Sequence, residues 1–100
     1  MLQVTKVDLD GVEATAYTVQ LPKTTLLAVA TAKGYIMCGA LDVGLLNTRL
    51  RERGIVAGRA LGVRTIDELL AAPLADVTAQ AEAMGISPGM IGREALKLMV

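Results

Sequence analysis

Asp10-Gly11 divides two runs, residues 3–9 and 12–21, that are both rich in Val, Thr and Leu. An Asp-Gly pair readily takes the two positive-φ positions of a tight hairpin turn, so the runs are predicted to fold back on each other as antiparallel strands. Pro22-Lys23 closes the second strand. Residues 26–32 and 35–38 form a second expected pair across Lys33-Gly34, and their apolar character is continuous instead of alternating, as in strands covered on both faces. The chain is thus committed to an N-terminal antiparallel region of about four strands before any helix signal appears.

Asp42 then reads as a helix N-cap, its carboxylate accepting from backbone amides, with Leu41 and Leu46 as a hydrophobic staple. Leu46 and Leu50 share the inward face, Asn47, Arg49, Arg51 and Glu52 take the wet side, and Gly54 is the stop. Residues 55–63 look like a fifth strand, which makes residues 35–63 a strand-helix-strand crossover with parallel strands. Thr65-Ile66-Asp67-Glu68 is a capping box that opens a helix through Ala72. Pro73 is expected to end that helix and start the next, with Leu74, Val77, Ala81 and Met84 at helical spacing until Gly85. Ser87-Pro88 is expected to start a last helix with Ile91, Ala95 and Leu98 inward. The expected class is α+β: an N-terminal antiparallel β region, a strand-helix-strand crossover and C-terminal helices. One domain is expected over residues 1–100, with 1–33 a β-rich oligomerisation region and 34–100 an α/β region.

Aromatic residues make up only 2% of a chain that is 53% hydrophobic, so the core must be built from Leu, Val, Ile, Ala and Met. In so short a chain an apolar excess is most simply hidden by self-association into a symmetric oligomer. Ten basic and ten acidic residues cancel, which argues against nucleic acid or an anionic membrane as partner, since both depend on a positive field. The longest aliphatic stretch, residues 26–30, is far too short for a bilayer, and no charged leader with a long apolar run opens the sequence. A soluble, cytoplasmic protein is expected. Its one cysteine cannot form an internal disulfide, which fits a reducing compartment.

The sequence contains no histidine, so Ser-His-Asp and Cys-His catalysis within one chain are excluded, as is every His-based metal site. No metal or cofactor is expected. Cys38 is the first candidate for chemistry: it falls where an apolar strand hands over to a helix, and helix amides favour a thiolate. Asp42 is ambivalent, because its charge raises a nearby thiol pKa while its carboxylate offers a proton acceptor. The plainer reading of Cys38 is a small buried hydrophobe. Arg59, in the glycine-rich run GIVAGRALG, Arg64, and Thr65, which caps the following helix whose amides help hold an anion, are the candidates for binding a small anion. The plainer reading of the arginines is pairing with acids across an interface. The glycine spacing fails the phosphate-loop pattern, with no Lys-Ser/Thr pair following. The tail AMGISPGMIGREAL has the flavour of a helix-hairpin-helix DNA-binding turn, but Pro88-Gly89-Met90-Ile91-Gly92 is one residue too long, with only Arg93 and Lys97 positive nearby.

Three segments carry a resemblance: GYIMCGALD (residues 34–42), GIVAGRALGVRTIDELLAAPL (54–74) and GISPGMIGREAL (85–96). Together they resemble the YunC-like family, small bacterial and archaeal proteins classed as a domain of unknown function. The N-terminal strands match that family mainly in pattern. The resemblance implies an α+β fold whose N-terminal sheet region is a tetramerisation element, and it implies no activity. The expectation is therefore a cytoplasmic homo-oligomer, a tetramer through its N-terminal strands, acting as a binding or interaction module. The alternative is a thiol-dependent enzyme or small-anion-binding protein using Cys38 with Asp42 and Arg59 or Arg64.

Overall fold

The computed structural model describes residues 1–39 and 53–100. Its framework is a six-stranded sheet in sequential order: β1 (Leu2–Leu9), β2 (Val12–Leu21), β3 (Thr24–Ala30), β4 (Tyr35–Met37), β5 (Ala57–Arg59) and β6 (Asp76–Val77). Asp10 (φ 56°) and Gly11 (φ 95°) make the expected hairpin turn and pair Leu9 with Val12. Antiparallel pairing continues through β4, β4 and β5 run parallel, and β6 returns antiparallel. The parallel pair is the one the crossover required. Its expected helix, with Asp42 as N-cap, lies outside the described residues.

The described residues also form three short helices: α1 (Ile66–Ala71) before β6, and α2 (Ala79–Ala83) and α3 (Gly92–Lys97) after it. The class is therefore mixed α+β, with the antiparallel strands β1 to β4 first. The buried cluster joins Leu9, Ala16, Leu27, Val29 and Ile36 of the sheet to Leu69, Ala95, Leu96 and Met99 of the helical region. Each such fully buried Leu or Ile contributes about 1.5–3 kcal/mol.

Sheet residues alternate between this core side and an outer side. On β3, Leu27 and Val29 are buried whereas Leu26, Ala28 and Ala30 are only half-buried, so the continuous apolar run does not mean full cover on both faces. In register on the outer side stand Val4, Tyr17, Ala28 and Met37, one from each of the first four strands, followed by Arg59 and Asp76. At the β4–β5 end that side is closed around Ala57 by Tyr35, Met37 and Ile55.

The C-terminal third departs from its expected boundaries. Residues 73–77 are extended, not helical. Leu74 N–H donates to the Met90 carbonyl (2.9 Å) and Ala75 N–H to the Arg59 carbonyl (2.7 Å), so the segment is strapped between tail and sheet. The helix starts only at Ala79, where the Thr78 hydroxyl accepts from Ala81 N–H. Likewise the last helix begins at Gly92, after a Pro73–Ile91 bridge, and turns Ala95 and Leu96 inward, with Met99 buried just beyond its end. Ile91 (40% exposed) and Leu98 (43%) face out, contrary to expectation. The fifth strand is also shorter than expected: beyond the bond from Ala60 N–H to the Met37 carbonyl (2.9 Å), the chain turns away at Gly62 (φ 72°).

Candidate functional site

Cys38 follows directly on β4, at the carboxyl end of a strand with a parallel neighbour, as the sequence predicts. Its side chain lies on the core side and is only 7% exposed. Leu27 N–H donates to the sulfur at 3.5 Å, while Cys38 N–H donates to the Leu27 carbonyl at 3.1 Å. The thiol is thereby tied to the neighbouring strand. Its proposed proton partner, Asp42, lies outside the described residues.

The two arginines occupy different surroundings. Arg59 ends β5 on the outer side of the sheet and is ion-paired with Asp76, its antiparallel partner on β6. Gly58, before it, packs closely on Leu74: a Cβ there would stand 2.7 Å from Leu74 Cδ1. Glycine here serves packing, not ligand access. Arg64 lies on the loop between β5 and α1, where its N–H donates to Glu68 Oε1 at 2.7 Å. Thr65 caps α1 by accepting from Glu68 N–H (3.1 Å). The capping box is thus shifted by one residue on its return arm, since the Glu68 carboxylate reaches the amide of Arg64 instead of that of Thr65.

Arg64 meets residues that the sequence did not nominate. With Val63 it lines one side of an open cavity of about 370 Å³, whose other side is Lys23, Thr24 and Thr25 from the β2–β3 turn and the start of β3. Pro22-Lys23 is a tight connection, because Leu21 pairs with Thr24, and it puts Lys23 in the left-handed region at φ 62°. A lysine at a position suited to Gly or Asn was the available signal, but nothing local links it to Arg64. Among the described residues, no helix is long and apolar enough to cross a membrane.

The profile described as "Domain of unknown function (DUF1805)" matches residues 37–99. The chain is 62% identical over 100 residues, covering all of itself and 99% of the relative, to the "Uncharacterized protein YunC" of Bacillus subtilis (strain 168). It is also similar to a solved structure, a "Protein of Unknown Function TA1206 from Thermoplasma acidophilum", with a TM-score of 0.89 at 29% identity over 100% of this chain and 94% of the other. The chain therefore belongs to the YunC-like family of proteins built on this domain of unknown function.

Proposed function

We propose that this chain is a cytoplasmic homo-oligomeric binding or interaction module, assembled as a tetramer through the outer face of its N-terminal sheet. The observation that carries the reading is the row Val4, Tyr17, Ala28, Met37, flanked by Leu2 and Val19. Leu2 is 61% exposed, Val4 54%, Tyr17 38% and Leu21 45%. Contiguous apolar surface of this kind marks association, and each Å² withdrawn from water contributes about 25 cal/mol. A closed symmetric assembly hides the same patch on every copy at once. Residues 1–33 supply most of that patch and are the assembling part. Residues 34–100 contribute the elements that back the sheet.

Light scattering of the purified protein at micromolar concentration tests this reading. A mass four times that of the 10.5 kDa chain is expected. A stable monomer would remove the assembly and with it the role assigned to the sheet face.

A further inference from the structure

We propose that the cavity between the β2–β3 turn and the loop after β5 is a binding site for a small soluble oxyanion, such as phosphate or the phosphate group of a small monoester. Two cationic residues from distant parts of the chain, Lys23 and Arg64, both line it, with Thr24 and Thr25 beside them and no carboxylate among the described lining residues. In a chain whose charges sum to zero, two like charges at one concavity repel unless something negative lies between them. An oxyanion supplies that charge. It accepts from the lysine ammonium as a point donor, from the guanidinium as a two-pronged fork, and from threonine hydroxyls, the donor set suited to a tetrahedral group.

Two further features support the assignment. Lys23 holds a left-handed backbone conformation that glycine or asparagine adopts more readily, so the cation is retained at a conformational cost. Glu68 does not line the cavity, and its Oε1 accepts the Arg64 N–H, which anchors the loop carrying the Arg64 side chain. The volume of about 370 Å³ admits a phosphate with a small organic substituent. The site does not depend on assembly through the sheet face. Its test reads binding, whereas the assembly test reads mass, so one can fail without the other.

Isothermal titration of the full chain with inorganic phosphate, and in a second arm with a sugar monophosphate, at fixed ionic strength is the test. Saturable binding at millimolar concentration or tighter is expected in at least one arm. Lys23→Ala and Arg64→Ala should each weaken it about tenfold, the loss expected for one charge-assisted contact. Lys33→Ala, in the turn at the opposite end of β3, should leave it unchanged. Lys23→Gly serves as a second variant, because it relieves the strained backbone while removing the charge, so loss of binding cannot be ascribed to misfolding. Absence of saturable binding in both arms, full binding by Lys23→Gly, or equal loss in Lys33→Ala would overturn the assignment.

Discussion

Val4 and Tyr17 are direct cross-strand partners on the side of the sheet opposite the buried core. They stand 54% and 38% exposed where an isolated sheet would favour polar residues. Val4→Glu places a carboxylate at the β1 end of the apolar row Val4, Tyr17, Ala28, Met37 without touching the core. Because exposed substitutions of this kind cost folding within about 0.5 kcal/mol, the chain should keep its circular dichroism and its melting temperature as a subunit. Its mass by light scattering should fall toward the monomer's. An unchanged mass would move the interface away from this row.

Thr78 is the one polar residue among the described buried positions, at 2% exposure, and all of its hydroxyl's hydrogen-bonding capacity is used. It donates to the Ile55 carbonyl (2.7 Å) and accepts from Ala57 N–H (3.1 Å) and Ala81 N–H (3.3 Å). One atom therefore joins β5 to the cap of α2. Thr78→Val keeps the shape and orphans those three partners, so urea unfolding should show a loss of about 2–4 kcal/mol. Thr78→Ser should recover most of it, which separates the hydrogen bonds from the packing of the methyl group.

Gly92 begins α3 where the helix crosses close to α1. A Cβ there would stand 2.6 Å from the Leu69 carbonyl oxygen and 2.8 Å from Ile36 Cδ1. Backbone does not rotate aside as a methyl can, so Gly92→Ala should lower stability by about 1–3 kcal/mol despite the better helix propensity of alanine. Gly58→Ala, which meets the Leu74 methyl at 2.7 Å, should cost less. Denaturant midpoints of the two variants check the order.

The parts legible from sequence were those encoded locally. Asp10-Gly11 specifies its own turn, and through that turn the whole β1–β2 register. The parallel β4–β5 pair followed from the length of chain between two apolar runs. By contrast, the spacing of Leu74 and Val77 suits a helix, but the hydrogen bonds that hold residues 73–77 extended come from Met90 and Arg59. Tertiary partners override local pattern there. The candidate site divided in the same way. Arg64 was visible as a cation near a helix cap, whereas its place beside Lys23 depends on how a hairpin turn and the loop after β5 meet. Cys38 was visible as a strand-end thiol, and its burial depends on Leu27 one strand away.

That burial bears on thiol chemistry. With Cys38 7% exposed and its sulfur accepting from Leu27 N–H, a small alkylating reagent must wait for the β3–β4 region to open. Native alkylation at neutral pH should therefore be slower than in denaturant by at least about tenfold, with its rate rising as denaturant approaches the unfolding midpoint. Native reaction as fast as that of the unfolded chain would favour Cys38 as a nucleophile.

The hairpin turn is also joined to the last helix, since Lys97 forms an ion pair with Asp10 and lies 3.6 Å from Glu94. The hydrogen bond from Lys97, then its charge and that of Arg93, hold the Asp10 carboxyl below its ordinary value of 3.8. In return, the hydrogen bond to Asp10 raises Lys97 above 10.5, against a desolvation that lowers it. A carboxyl whose folded value is depressed contributes stability that is present above 3.8 and lost as pH falls toward the folded value. A lysine whose folded value is raised contributes stability that is present below 10.5 and lost as pH climbs through the folded value. Asp10→Asn removes both contributions while tolerating the left-handed backbone at φ 56°. The difference in melting temperature between parent and variant should be flat between about pH 5 and 9, then shrink at both extremes. Because the pair is exposed, added salt should reduce that difference across the plateau. A difference that stays constant through the acid limb would mean that Asp10 titrates alike in the folded and unfolded chains.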